Sequence, residues 1–442
     1  MKQSKSFYRI LMTVLLALTL GLIALVFGVL LLGCGNGATK TGFGKAAESF
    51  TAFAETDAFN LRQVITADSS ASRTVMWQSY AEEKDAFVEY RATKAENAVI
   101  QTQKEHINDK FTDNGKTSYV HTVTLNNLKP GTEYEYRLGH ENRRSQWYRL
   151  NTANTHNTYK ALIFPDSQSA KYKVWEDVAM PAWLRNRDAQ FFIAMGDLVD
   201  NGEHAYQWNE WFTRIGPMIT RIPVAPVMGN HETYTMDWKV RMPQAYLHYF
   251  QLPEGTPAPY KNQFYSFDYD DVHYVVLNTQ MREMEEFYPS LLQDQIVWFK
   301  ADMEKTRKKW KVVLMHKDVL RYGFLTRKTP REEGFSEEGK AFMPLFDKYK
   351  VDVVLTAHLH TYRNRGHIYR FKRDANGPLY ILTGVAGDVR YPNLWKRHSL
   401  DVTVAPQPET NNYMIMEASA ESLRFSCYLP DGTKIDETEV KK

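Results

Sequence analysis

Five short apolar runs between residues 160 and 360 each end in Asp, Asn or His. The clearest covers residues 191–195, stops at Gly196 and is followed at once by Asp197. The other four runs end at Asp166, at Asn230 with His231, at His316, and at His358 with His360. Because ligands bind outside the carboxyl ends of the strands in an open α/β sheet, five such ends in one order predict a single site.

The segments between these runs predict an α/β fold. Candidate amphipathic helices cover residues 174–187, 205–215, 292–309 and 339–349. The order strand, helix, strand is typical of a sheet that helices cover on both faces. Strand-like residues 413–417 and 422–428 predict an antiparallel end to the chain.

Residues 57–154 have a different pattern, in which polar and apolar residues alternate over several short runs. This alternation predicts a β-sandwich. Residues 128–136 place a Pro-Gly turn before an aromatic strand, which resembles the tyrosine corner of fibronectin type III domains. Such a domain is expected to act as a packing module or spacer, and a direct part in substrate binding is the alternative.

The N-terminus has the features of an export signal. Lys2, Lys5 and Arg9 precede an uncharged apolar segment, residues 10–32. The segment ends at Gly33 and Cys34, which resembles the lipobox of bacterial lipoproteins and predicts lipidation of Cys34. The segment is also long enough for an uncleaved helix, which needs about 20 residues to span a bilayer. Either alternative predicts a membrane-anchored, extracytoplasmic protein.

Small and polar residues follow this segment and predict a flexible tether. The predicted organisation is therefore an anchor at residues 1–34, a tether at 35–56, a fibronectin III-like β-sandwich at 57–154 and a second domain at 159–440. The 55 basic and 52 acidic residues leave no large surplus of charge, so no nucleic-acid binding is predicted. The two cysteines, Cys34 and Cys427, exclude a disulfide framework, and Cys427 is predicted to be a buried strand residue.

The residue types at the five strand ends indicate a metal centre. Carboxylate, amide and imidazole donors suit zinc, iron or manganese better than magnesium, which prefers oxygen ligands. More donors are present than one ion needs, and two ions about 3.5–4 Å apart need a shared carboxylate. Asp197, which follows the central run, is the candidate for that bridge.

These motifs resemble those of the calcineurin-like metallophosphoesterase superfamily and, together with the preceding sandwich, the layout of purple acid phosphatases. The resemblance implies a four-layer α/β/β/α domain after the sandwich. It also implies that Asp166 and His360 bind one metal, that Asp197 bridges, and that Asn230, His316 and His358 bind the other. His231 would be the catalytic general acid, oriented by a nearby carboxylate.

Three positions depart from the family pattern. Gln168 stands where the wider superfamily often has a histidine ligand, so it is predicted to be a weak ligand of the first metal. Asp200 replaces the tyrosine ligand of purple acid phosphatases, which predicts a protein without purple colour. Ala357 replaces the usual glycine before the last histidine pair and should leave the turn intact.

The functional prediction is an exported, membrane-tethered phosphoesterase with two divalent or trivalent ions, Fe, Zn or Mn. A metal-bound hydroxide would attack a small-molecule phosphate ester in line. The alternatives are a phosphodiesterase or nucleotide pyrophosphatase, or a surface binding protein with a relic metal site. Basic residues at 317–339 and 362–365 are candidates for a phosphate-binding rim, and a solvated charged loop is the alternative. The oligomeric state stays open.

Overall fold

The computed structural model of the protein describes residues 57–93, 100–154, 158–406 and 408–442. The predicted anchor, the tether and Cys34 lie outside the described residues. Within the described ranges, no helix combines the length and the apolar character needed to cross a membrane.

The N-terminal domain is the β-sandwich that its alternating pattern predicts. Its strands are β1 (Phe59–Val64), β2 (Arg73–Ser79), β3 (Phe87–Ala92), β4 (Gln101–Gln103), β5 (Ile107–Asp113), β6 (Lys116–Leu125), β7 (Glu133–His140), β8 (Arg143–Arg144) and β9 (Tyr148–Asn151). Strands β1, β2, β6 and β5 form one side, and β4, β3, β7, β8 and β9 form the other. Trp77, Val88 and Tyr136 belong to the buried core of the sandwich. The Tyr134 hydroxyl accepts the backbone N–H of Lys129 at 2.9 Å, at the predicted tyrosine corner.

The second domain supplies the remaining strands. They are β10 (Tyr159–Phe164), β11 (Phe191–Ala194), β12 (Val224–Pro226), β13 (Tyr265–Tyr269), β14 (Val272–Leu277), β15 (Trp310–Met315), β16 (Leu320–Arg321), β17 (Gly334–Phe335), β18 (Val353–Thr356), β19 (Tyr362–Tyr369), β20 (Lys372–Arg373), β21 (Leu379–Thr383), β22 (Thr403–Val404), β23 (Tyr413–Ala418), β24 (Ser422–Tyr428) and β25 (Lys434–Lys441). The helices are α1 (Lys173–Arg185), α2 (Ala205–Arg214), α3 (Gly216–Ile219), α4 (Gln244–Tyr249), α5 (Leu291–Lys305) and α6 (Glu337–Tyr349).

The first large sheet runs through both domains. Its order is β25-β24-β23-β10-β11-β12-β1-β2-β6-β5, so the sandwich strand β1 pairs directly with β12 of the second domain. That pairing is parallel and places Val64 opposite Val224. The hydrogen bonds of one continuous sheet therefore connect the two domains.

The second large sheet has the order β13-β14-β15-β18-β21-β19-β20, with β22 paired to β19. Residues of both sheets and of α1 and α2 share one apolar core, in which Trp175 and Trp211 stack with ring centroids 5.8 Å apart. A second core joins the other face of the second sheet to α5 and α6. The layers are therefore helix, sheet, sheet and helix, as predicted. Cys427 is buried in β24.

Candidate metal centre

The predicted site residues come from the carboxyl ends of strands in two different sheets. Asp166, Asp197 and Asn230 follow β10, β11 and β12 of the first sheet. His316, His358 and His360 follow β15 and β18 of the second sheet. The site thus lies where the ends of two packed sheets meet.

Two groups of side chains at this place have ligand atoms close enough to hold an ion. Asp197, His316 and His358 form one group, and Asp166, Asp197 and His360 form the other, with ligand atoms in each group within 4.8 Å of one another. Asp197 is common to both groups. The sequence predicted Asp197 as the shared ligand, and its role as a bridge between two ions stays a prediction.

His316 is held with one ring nitrogen turned into the site. Its Nδ1 donates to the carbonyl of Met195 at 2.9 Å, which fixes the tautomer and leaves Nε2 available. This Nε2 lies 3.0 Å from Oδ2 of Asp197 and 3.3 Å from Oδ1 of Asn230. Nε2 of His316 therefore converges with the oxygens of Asp197 and Asn230, two other predicted metal ligands.

His360 has the same arrangement on the other side of Asp197. Its Nδ1 donates to the carbonyl of Val389 at 2.6 Å, and its Nε2 lies 3.1 Å from Oδ2 of Asp166. The backbone N–H of His358 donates to the Asp166 carboxylate at 3.0 Å. Contacts with Asp166 thus help to position His358 and His360, and the two histidines in turn position Asp166.

Several of these residues have an unusual backbone conformation. Asp197, His358 and His360 have φ angles of 48°, 76° and 52°. Non-glycine residues rarely adopt positive φ, and such residues cluster at functional sites. A Cβ on Gly196 would lie 2.5 Å from Nδ1 of His316, so this glycine is required for the close approach of two strand ends.

The charges at the site are strongly coupled. Burial would raise the pKa of Asp197, but the adjacent His316 and His231 hold it well below its usual range. Burial would lower the pKa of His316, but Asp197 and Asp166 raise it to about 9. For His358, burial and the neighbouring His316 lower the pKa to about 3, so its imidazole is neutral and able to coordinate.

The donor set fits a pair of transition-metal ions. Carboxylate oxygens and imidazole nitrogens are the ligands that zinc, iron and manganese accept. The buried Nδ1 of His358 has no hydrogen-bond partner among the described residues. A buried polar atom without a partner is costly unless something binds it, and a metal ion satisfies it.

Gln168 is buried next to Asp197. Its backbone N–H donates to the carbonyl of Asp197 at 2.8 Å. Neither polar atom of its side chain has a hydrogen-bond partner within the described ranges. Its predicted role as a weak ligand stays a prediction.

His231 lies at the edge of the site and is only partly buried. Its Nδ1 donates to the backbone carbonyl of Asp200 at 2.7 Å, and the carboxylate of the same residue lies 3.5 Å away. Its Nε2 is 4.0 Å from Oδ2 of Asp197. The nearest group that orients the ring is thus a carbonyl, where sequence reasoning expected a carboxylate.

Glu232 supports the site in a way that the sequence did not reveal. Its buried carboxylate accepts backbone N–H groups of Asp197 at 3.1 Å, Leu198 at 2.7 Å and Gly229 at 2.6 Å. Burial and the negative charge of Asp197 raise the pKa of Glu232 to about 7. The sequence shows that Glu232 directly follows His231, which could have marked it as a site residue. Its backbone partners depend on the tertiary structure and could not be predicted.

A loop at residues 387–391 also closes against the site and was not predicted to do so. The carboxylate of Asp388 accepts the backbone N–H groups of Ala170 and Lys171, each at 2.9 Å. The ring of Tyr391 lies 4.8 Å from that of His360. The aromatic composition of the loop was visible in the sequence, but its contact with His360 was not.

The two predicted rim segments have different outcomes. Lys317, Arg321 and Arg331 line a cavity of about 350 Å³ that reaches His358. Arg363 and Arg365, in contrast, are buried and paired with Asp401 and Asp318. The prediction of a substrate rim at residues 362–365 is therefore wrong, because this part of β19 is buried on both faces.

Comparison with known proteins agrees with this geometry. The family model described as calcineurin-like phosphoesterase matches residues 156–362, and the one described as purple acid phosphatase, N-terminal domain, matches residues 59–152. The chain is 28% identical over 300 residues to purple acid phosphatase 21 of Arabidopsis thaliana, and the match covers 63% of each chain. It is 25% identical over 332 residues to acid phosphatase type 7 of Mus musculus, covering 64% of this chain and 70% of the relative.

A solved structure extends the likeness to the fold. The structure of purple acid phosphatase PPD1 from yellow lupin (Lupinus luteus) seeds matches with a TM-score of 0.70 and 18% identity. The match covers 87% of this chain and 74% of that one. The likeness in fold therefore extends over most of this chain.

Proposed function

We propose that this chain, which carries a purple acid phosphatase N-terminal domain followed by a calcineurin-like phosphoesterase domain, is a metal-dependent phosphoester hydrolase. The observation that carries the proposal is the position of Asp197, whose carboxylate belongs to both three-residue ligand groups. A carboxylate shared by two ligand groups can hold two ions about 3.5–4 Å apart, the separation found in two-metal hydrolytic sites.

The residues divide into two sets around this carboxylate. Asp166 and His360 would hold one ion, with Gln168 as a weaker neighbour. Asn230, His316 and His358 would hold the other. When bound, the ions would supply Lewis-acid stabilisation of the phosphoryl oxygens and would lower the pKa of a water molecule toward neutrality.

His231 handles the proton on the side of the leaving group. Its Nδ1 proton is committed to the carbonyl of Asp200, so Nε2 is the nitrogen that can carry and deliver a second proton. This Nε2 lies 4.0 Å from Oδ2 of Asp197, the residue that belongs to both ligand groups. His231 therefore protonates the departing oxygen, or donates a hydrogen bond to it, as the ester bond breaks.

The test is a set of hydrolysis assays on the full-length chain purified in detergent. Metal-loaded protein is expected to hydrolyse a chromogenic phosphate ester, to lose activity with a chelator and to regain it with Zn, Mn or Fe. Elemental analysis is expected to find about two tightly held ions per chain. Inactivity of metal-replete protein on mono-, di- and pyrophosphate esters alike would refute the proposal and favour a binding protein with a relic site.

The proposed location is outside the cytoplasm, with the chain held at the membrane by a lipid on Cys34. The support is in the sequence, where an uncharged apolar segment behind Lys2, Lys5 and Arg9 ends at Gly33 and Cys34. In Cys34→Ser, processing is expected to stop, so that the precursor keeps its full-length mass. If wild type and variant have the same mature mass, the segment is an uncleaved helix instead.

A further inference from the structure

Trp238 is a large apolar side chain in an unfavourable position on the surface. It is 56% exposed, and its φ angle is 63°. This left-handed conformation is rare for a bulky residue and is disfavoured relative to glycine. Neither the exposure nor the backbone strain of this tryptophan stabilises the fold, and strained residues cluster at functional sites.

A closed hairpin, residues 234–240, holds Trp238 in place. An antiparallel bridge joins Tyr234 to Val240, and the backbone N–H of Trp238 donates to the carbonyl of Thr235 at 3.0 Å. A hydrogen bond fixes the hairpin to the loop that follows Asp200, because the backbone N–H of Met236 donates to the Glu203 carboxylate at 2.9 Å. The indole is thus presented by an ordered element.

The hairpin places the indole against His231. The two ring centroids are 5.6 Å apart, with the ring planes at 90°. Tyr234 supports the indole from the hairpin itself, with ring centroids 6.0 Å apart. Met236 and Val240, which are 50% and 46% exposed, extend the apolar surface next to it.

The charged residues of the hairpin do not make this surface a site for ions. Asp237 and Lys239 pair with each other at 2.6 Å. The surface next to His231 is therefore aromatic and aliphatic, and more than half of the Trp238 side chain is exposed to solvent. Such a surface gains free energy by covering another flat apolar group, because stacking adds to the burial of apolar surface.

We propose that Trp238 forms a subsite for the leaving group, and that the preferred substrates are phosphoesters whose departing alcohol carries a planar aromatic group. The inference rests on the proposed function, in which His231 faces the departing oxygen. A group attached to that oxygen must lie beside His231, and the indole is the surface found there. Aryl or benzyl esters and nucleotides share this chemistry.

The test compares esters that differ in the aromatic group but not in leaving-group acidity. Benzyl and ethyl phosphate are such a pair, and AMP and ribose phosphate form a second pair that separates nucleobases from simple aromatic rings. The methyl diesters of benzyl and ethyl phosphate are used if wild type hydrolyses only diesters. The variant is Trp238→Gly, since glycine fits the φ of 63° and removes the ring without straining the hairpin. Trp238→Phe keeps an aromatic face, and Tyr80→Ala removes an exposed aromatic ring from the sandwich as a control.

In Trp238→Gly, kcat/KM for benzyl phosphate or AMP is expected to fall roughly three- to tenfold, mostly through KM, as expected for a lost aromatic contact. The kcat/KM values for ethyl and ribose phosphate are expected to stay within about twofold of wild type. The metal content and the melting temperature are expected to be unchanged. Trp238→Phe should keep most of the preference, and Tyr80→Ala should keep all of it. If kcat/KM falls for only one of benzyl phosphate and AMP, the subsite binds leaving groups of that class.

An equal proportional loss for aromatic and aliphatic esters in Trp238→Gly, or no loss for either, would overturn the inference while leaving the proposed function intact. Failure of metal-loaded wild type to hydrolyse any of these esters would also overturn the inference, and it would overturn the proposed function as well if pyrophosphate esters are not hydrolysed either.

Discussion

The imidazole of His231 donates through Nδ1 to the backbone carbonyl of Asp200 at 2.7 Å. Because a carbonyl oxygen only accepts, this bond fixes the tautomer and leaves Nε2 facing the site. Asp200 occupies the position at which purple acid phosphatases have a tyrosine ligand. In this chain the same position instead orients the proposed general acid.

Replacing His231 should separate chemistry from metal binding. His231→Ala is expected to keep both ions and to lower turnover by about two to four orders of magnitude, the range for a lost acid–base group or transition-state donor. The loss should be smallest for esters whose leaving groups need no proton. Elemental analysis and a series of leaving groups measure the two effects. An emptied site, or the same loss for good and poor leaving groups, would contradict the role of general acid.

The adjacent residue, Asn230, should behave in the opposite way. Its Oδ1 lies 3.3 Å from Nε2 of His316, inside the second ligand set. Asn230→Ala is expected to weaken binding of that metal by at least about tenfold, since even changes to groups that only support metal ligands cost that much. Activity should fall with metal content and recover partly when excess metal is added. Normal metal content with low activity would show that Asn230 does not bind metal.

Much of this site could be predicted from local sequence. An apolar run that ends in Asp, Asn or His is a short pattern, so the positions of Asp166, Asp197 and His316 at strand ends followed from it. The helix expected at residues 292–309 ends earlier, at Lys305, because Thr306 has an extended backbone. Local patterns thus located the elements but not their ends.

The parts that could not be predicted depend on contacts between distant segments. Glu232 binds backbone groups more than 30 residues away, and Asp388 binds the loop after Asp166 from over 200 residues away. The division of the strand ends between two sheets is also a tertiary property. The sequence placed Arg365 in a candidate surface rim, because its partner, Asp318, lies 47 residues away along the chain and could not be identified.

The buried position of Arg365 predicts a structural rather than a catalytic role. Its guanidinium lies 2.5 Å from the Asp318 carboxylate and donates to the Tyr322 hydroxyl at 3.0 Å. Arg365→Met leaves Asp318 buried without its cation, which costs about 3–5 kcal/mol. Urea unfolding should measure this loss, while KM of the remaining folded enzyme should stay unchanged.

The matched control is Arg282→Met, which breaks an exposed ion pair with Glu337 at 2.8 Å. Exposed pairs contribute at most about 1 kcal/mol, so this variant should unfold close to wild type. If Arg365→Met is as stable as the control and raises KM instead, Arg365 contacts substrate and the structural assignment fails.

His273 should give the protein a pH-dependent stability that is independent of the metal centre. Its Nδ1 lies 2.7 Å from Asp268 and its Nε2 lies 2.8 Å from Asp302. Burial would lower the pKa of His273, but hydrogen bonds to the two carboxylates outweigh it and raise the pKa to about 9. The native state therefore binds a proton that the unfolded chain, with a histidine pKa near 6.5, has already lost.

The contribution of His273 is fully present below about pH 6.5 and is lost as the pH rises through about 9. Since one pKa unit corresponds to about 1.4 kcal/mol, the difference amounts to at most about 3 kcal/mol. Free energies of unfolding of wild type and His273→Gln, measured between pH 6 and 10, give the effect as a difference, in which titrations elsewhere in the chain cancel. The stability advantage of wild type should shrink across this range. A constant difference would mean that the pKa of His273 is the same in the folded and unfolded states, and that the two carboxylates hold its ring without raising its pKa.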